Sequence, residues 1–133
     1  MTKTKIYFDI YSEYDGEARG DLIIMVEKNK YTRYPALSGP HGKGSIEKGE
    51  YDVVSCYQLD KVTKNNPYKR DAFPWMAGLK PLFETERNNL AIHPEGNIHG
   101  TLGCIGILKN DLYAHADIHS LLRIEKIIRM KVI

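Results

Sequence analysis

The chain reads as a strand-dominated α+β domain with one main helix near the C-terminus. Three observations predict this. Short runs rich in β-branched and aromatic residues recur through most of the sequence. Nine tyrosines stand against three phenylalanines and one tryptophan, a bias that suits strands and a half-wet cleft. After Leu108, one stretch carries apolar residues at helical spacing. A chain of 133 residues is long enough to bury roughly two-thirds of its unfolded surface. With no internal repeat, low-complexity tract or evident linker, residues 1–133 are expected to form a single domain.

Taken in order, Lys5–Tyr11 and Asp21–Lys28 read as strands. Asn29 offers a turn into Tyr31–Leu37, so residues 21–37 form an expected hairpin, with Pro35 demoting its second arm to an edge or a strand end. Ser38-Gly39-Pro40-His41-Gly42-Lys43-Gly44 is a glycine-rich loop that lacks the spacing and following helix of a phosphate cradle. Residues 51–59 alternate, with Tyr51, Val53, Ser55, Tyr57 and Leu59 on one face and Cys56 beside Val54 on the other. Residues 60–89 have no strong period. They are expected to form an irregular lid or groove wall, with Trp75 and Tyr68 packing on a peptide, or a solvated loop pinned by Phe73 and Trp75. Leu90-Ala91-Ile92 is an apolar run ending at His93. Asn110 or Asp111 caps a helix through about Leu122, with Ala114, Ile118, Leu121 and Leu122 on its apolar face. Glu125–Ile133 closes the chain as a strand with Ile128, Met130 and Val132 on one side.

Composition narrows the function. Lys+Arg 19 against Asp+Glu 17 gives a net charge of +2, too balanced to argue for nucleic acid. No run is long enough to span a membrane, and the N-terminal residues lack the apolar core of a secretory signal. Two cysteines, Cys56 and Cys104, make no disulfide framework and are read as reduced. No CxxC pair or HExxH helix is present, so neither a metal nor a cofactor is expected; His93, His99 and Cys104 are the one conceivable metal set, and His115 and His119 are read as surface residues.

The stretch from Ile92 to Ile107 carries the chemistry. His93 closes one apolar run, a glycine-containing loop follows, and Gly103-Cys104 opens the next apolar run. This suits a cysteine nucleophile with a histidine base on a neighbouring strand. Glycine before the cysteine gives a substrate room to approach, and the N–H groups of Gly103 and Cys104 could hold an oxyanion. His93 as imidazolium would lower the thiol pKa and pre-form the thiolate. A third group should orient His93: a backbone carbonyl, or Glu95, Asn97 or Thr101. His99 competes as base, but His93 is preferred because the apolar run fixes it on a strand.

His93 followed by Thr101-Leu102-Gly103-Cys104-Ile105 resembles the motif of the YkuD-type L,D-transpeptidases: a histidine, a variable loop, then Ser/Thr-x-Gly-Cys-hydrophobic. Upstream, Tyr34-Pro35-Ala36-Leu37-Ser38-Gly39 and Ile46-Glu47-Lys48-Gly49-Glu50-Tyr51-Asp52-Val53 resemble elements of its short members, some of them antibacterial effectors of type VI secretion systems. The resemblance covers roughly residues 20–133. It implies a mixed β-sandwich, Cys104 and His93 as the catalytic pair, and a groove in which Tyr34, Ser38, Gly39 and Thr101 meet substrate beside Trp75. It also implies acyl transfer on peptidoglycan tetrapeptide stems. The acceptor could be water, a D-amino acid or a second stem.

Without a signal, such an enzyme would leave the cytoplasm by injection or during phage lysis and act in a target cell's periplasm. An immunity protein or a secretion component would then be a partner. Leu102 and Gly106 replace the histidine and the Arg or Asn usual around the cysteine in larger relatives, and the loop after His93 is shorter, which suggests a more open cleft. The rival expectation is a non-catalytic module that binds wall peptides, or a secretion or phage structural part, with Cys104 merely buried.

Overall fold

The computed structural model describes residues 3–59, 74–96 and 99–133. Eight strands and one helix follow in the order β1 (Thr4–Tyr14), β2 (Glu17–Glu27), β3 (Lys30–Ser38), β4 (Gly49–Gln58), β5 (Trp75–Pro81), β6 (Leu90–Pro94), β7 (Ile105–Ile107), α1 (Asp111–Glu125) and β8 (Ile128–Val132). The α+β, strand-dominated expectation holds. The layering differs from a sandwich: the strands close into one barrel ordered β1-β2-β3-β7-β6-β5-β4-β8. Closure comes from β8, which pairs with β4 antiparallel and with β1 parallel, so the sheet keeps no free edge there.

Local chemistry explains the pairings. The β1–β2 hairpin turns at Asp15-Gly16, both at positive φ, as a tight two-residue hairpin requires. The β2–β3 hairpin turns beside Asn29, also left-handed, as the sequence anticipates. Pro35 lies within β3, one residue outside the part of the strand that pairs with β7. Residues Ile6, Phe8, Leu22, Ile24, Tyr51, Val53, Ile92, Ile105 and Met130 fill the interior together with the apolar side of α1.

The alternation read in β4 fails at one point. The β4–β5 register slips between Val53 and Ser55, so Val54 is a bulge and is 44% exposed. One extra residue exchanges the two faces beyond it. Cys56 therefore turns toward the core, whereas Tyr57 is 49% exposed. The Cys56 thiol is pushed up to about 12 by burial, as suits an inert packing group.

The helix begins at Asp111 and runs to Glu125, three residues past Leu122; Asn110 stands at its cap in a left-handed conformation without a side-chain capping bond. Ala114, Ile118 and Leu121 are buried. It packs on β2, β4, β5 and β8, and Asp117 accepts hydrogen bonds from Thr32 and Tyr34 of β3. Contacts from so many strands mean that α1 closes one mouth of the barrel. Ile128, Met130 and Val132 of β8 face inward as expected.

The expected lid is corrected in part. Residues 75–81 of that stretch are β5, a barrel strand whose Trp75 is fully buried. Residues 60–73, including Tyr68 and Phe73, lie outside the described residues, as does Asn97.

Candidate functional site

β6 and β7 lie side by side and parallel, with Ile92 opposite Ile105 and His93 opposite Gly106. Ile92, Ile105 and Ile107 point into the core. Strand alternation therefore turns Ala91, His93 and Glu95 outward, together with Gly106 and the adjoining Cys104. The register sets Cys104 beside Ala91, with His93 the next outward residue along β6. Sequence reasoning joined these two residues across a loop, and the parallel pairing brings them onto one face.

Cys104 is 6% exposed and His93 is 3% exposed. The Cys104 thiol donates to the Asn89 carbonyl at 3.7 Å. Burial pushes this thiol above its ordinary range, with the Ala91 main-chain N–H pulling the other way. His93 Nδ1 lies 2.7 Å from the Pro94 carbonyl oxygen. A carbonyl can only accept, so Nδ1 carries the hydrogen and the neutral ring's lone pair sits on Nε2. The backbone carbonyl, one of the orienters foreseen, thus holds the ring. Burial pulls His93 down to about 4, although the Pro94 bond opposes it. The resting pair is therefore thiol and neutral imidazole. The expected thiolate–imidazolium pair is not the ground state, because a buried space penalises both charges.

The loop before Cys104 is fastened by one hydroxyl. Thr101 Oγ1 accepts from Gly39 N at 2.9 Å and from Gly103 N at 3.2 Å, and it donates to the Cys104 carbonyl at 2.6 Å. Thr101 N donates to the Gly39 carbonyl at 2.8 Å, and His41 N to the Thr101 carbonyl at 3.0 Å. Ser38 Oγ donates to the Gly103 carbonyl at 3.2 Å and accepts from Ile46 N at 2.8 Å. Gly103 holds φ +116, and a side chain there would meet Gly44 O at 3.4 Å and the Arg87 guanidinium at 3.5 Å. The positive φ, which side chains rarely adopt, explains the glycine before the cysteine.

Several expectations change on this geometry. Ser38, Gly39 and Thr101 do surround Cys104, but their polar atoms are spent bracing the loop. Gly103 N–H is occupied by Thr101, so of the two expected oxyanion donors the Cys104 N–H is left. Tyr34 and Trp75 lie at the helix end of the barrel, away from Cys104. The Tyr34 hydroxyl donates to Asp117 at 2.5 Å, and Trp75 Nε1 donates to Asp111 at 3.3 Å. Neither lines a groove around the cysteine. Cys104 and His93 are both buried, with Thr101 close against Gly106, so they do not lie in the open cleft expected.

His99 is exposed and pairs with Glu17 at 2.7 Å. His115 stacks on His119 at 5.9 Å and meets the Trp75 ring at a tilt at 5.1 Å, so it is half-buried and no simple surface residue. Among the described residues no three His, Cys, Asp or Glu side chains gather as a metal site would require.

A shallow cavity of about 260 Å³ lies alongside Gly103, lined by Lys43, Glu86, Arg87, Asn88, Leu90 and Leu102. Arg87 builds one wall: Nη1 donates to the Ser45 carbonyl at 2.5 Å and Nη2 to the Lys43 carbonyl at 2.7 Å. Sequence reading missed Arg87 and Asn89. Asn89 is left-handed (φ 54), and the Asn88-Asn89 pair before an apolar run is the turn signal that marked it. A cavity of the same volume near Lys3, Lys5 and Met25 holds no cysteine or histidine.

Comparison with known proteins gives no match: no family model, no curated protein and no solved structure is similar to this chain.

Proposed function

We propose that the chain is a cysteine acyltransferase of the YkuD-type L,D-transpeptidase class, acting on peptidoglycan tetrapeptide stems. The observation that carries the reading is the pairing of β6 with β7, which aligns Cys104 and a carbonyl-oriented His93 on one face. The motif resemblance supplies the substrate class. On this view the closed barrel is a compact form of the fold implied by that resemblance, and the cavity beside Gly103 receives part of the stem.

The chemistry follows from the neutral pair. His93 Nε2 takes the Cys104 proton as the sulfur attacks an amide carbonyl. The Cys104 N–H stabilises the oxyanion, and one such donor is worth about 3 kcal/mol of barrier. The imidazolium then protonates the departing amine, and a thioester remains. Water, a free D-amino acid or a second stem takes the acyl group, with His93 again as base. No cofactor enters this sequence. An exported antibacterial effector or a phage lysis enzyme, acting in the periplasm of a target cell, fits a chemistry that trims or caps stems; an immunity protein or secretion component would be its partner.

The test is incubation with purified disaccharide-tetrapeptide stems, with and without a D-amino acid, read by mass spectrometry. Loss or exchange of the terminal D-alanine is expected, and neither should occur with Cys104→Ala or His93→Ala. Intact stems after incubation with the wild type would contradict the reading.

A second reading draws on the burial of Cys104 and the upward shift of its thiol, which suit an inert packing group. The chain would then be a non-catalytic module that grips wall peptides, or a structural part of a secretion apparatus or phage. Stem binding that survives Cys104→Ser, with no turnover by the wild type, would favour it.

A further inference from the structure

The chemistry above leaves one buried group unused. Glu95 is 6% exposed; its Oε2 accepts the Gly100 N–H at 3.0 Å. Its Oε1 is buried and meets no donor among the described residues. A buried polar atom without a partner is destabilising, and more so when it carries charge. A glutamine would hold the Gly100 N–H through its carbonyl oxygen without burying that charge. The carboxylate therefore calls for a reason beyond fastening the loop.

Position supplies one. Glu95 directly follows the last residue of β6, and its N–H still bonds the Ile107 carbonyl at 2.9 Å, so the chain stays extended and Glu95 follows His93 on the outward side at roughly 6–7 Å along it. Gly106, opposite His93, lets Thr101 and Glu95 pack closely over that face. A Cβ on it would come within 3.2 Å of Thr101 Cγ2 and 3.6 Å of the Glu95 backbone and side chain. Along this face the order is Cys104, His93, Glu95, with the imidazole in the middle.

We propose that Glu95 is a positioning residue of the reaction, the charge partner of the imidazolium that His93 becomes when it takes the Cys104 proton. The proposal rests on the acyl-transfer reading. In that step the S–H bond breaks, an N–H bond forms at Nε2, and two neutral groups become thiolate and imidazolium in a space that disfavours charge. Among the described residues no donor meets Oε1 at rest; on this proposal its partner exists only during the reaction. An interaction made in the transition state and absent from the ground state lowers the barrier directly. The Pro94 carbonyl orients the ring and Glu95 supplies the countercharge, two tasks that a single carboxylate performs in a serine-protease triad.

The experiment uses the whole chain with Cys56→Ser, so that one thiol remains. The rate of Cys104 alkylation by iodoacetamide is read by intact mass, and melting is followed in parallel. Wild type, Glu95→Gln, Glu95→Asp and His93→Ala are compared. Glu95→Gln is expected to melt at or above the wild type yet alkylate about tenfold more slowly. Glu95→Asp keeps the charge but strains the Gly100 bond, so it should melt lower and react faster than Glu95→Gln. Opposite orders in stability and reactivity are the expected result. Glu95→Gln reacting at the wild-type rate while His93→Ala is slow would overturn the role of Glu95 alone. A wild-type rate that does not depend on His93 would overturn the acyl-transfer reading, and this inference with it.

Discussion

The two faces of the β6–β7 pair are buried about equally, yet they are built from different residues. Inside the barrel, Leu90, Ile92, Ile105 and Ile107 bury apolar surface in the shared core. Outside, Ala91, His93, Glu95, Cys104 and Gly106 are covered by the loops around Gly39 and Thr101. The inner face draws its stability from area removed from water. The outer face draws little from area, and nearly every polar atom on it is held by a hydrogen bond. A chain that needed only a covered strand pair would have put apolar residues on both sides. Polar burial on one side alone is what the proposed chemistry at Cys104 and His93 accounts for.

The comparison can be broken from either face. The largest effect is expected outside: Cys104→Ala or His93→Ala should lower stem turnover by about a thousandfold or more with the barrel intact, measured by product formation beside circular dichroism. Inside, Ile105→Ala should cost about 2–5 kcal/mol of stability by denaturant unfolding, since it opens a cavity in a filled core. It should reduce turnover only as far as it unfolds the protein.

Acid should then distinguish the faces. His93 sits at about 4 in the fold, below its ordinary value, so the unfolded chain binds a proton that the native chain refuses. Its contribution is present above the unfolded pKa and is lost as pH falls from about 6.5 toward 4, by up to roughly 3 kcal/mol. Melting of His93→Gln across that window should be flatter than that of the wild type. Thr101→Val should cost about 1–3 kcal/mol, because Gly39 and Gly103 each lose an acceptor in a buried place. His99→Ala should be the smallest change. It removes an exposed pair with Glu17 worth under about 1 kcal/mol, and most activity should remain.

Most of the strands, the hairpin at Asn29 and the helix after Asn110 were legible because their hydrophobic periods are local; β5, inside a stretch without a period, was not. Closure into a barrel was not, since the parallel pairing of β1 with β8 joins the two ends of the chain and leaves no local mark. The bulge at Val54 escaped for a related reason: alternation continues through it in sequence while the register slips in space. Cys104, His93 and the loop between them were readable as a motif. The roles given to Tyr34 and Trp75 were not, because which end of the barrel a residue occupies is set by pairings with distant strands. The neutral resting state of Cys104 and His93 follows from burial, which sequence could not supply; the short loop even suggested the reverse.

The most direct test of the central claim is intact mass spectrometry of the protein mixed with a carbapenem, beside Cys104→Ala. A β-lactam carbonyl offers the acyl group that the Cys104 sulfur is said to attack. The account predicts a single covalent adduct on the wild type, its loss in Cys104→Ala, and slow formation in His93→Ala. A wild type that stays unmodified, and that also leaves purified tetrapeptide stems intact, would contradict it.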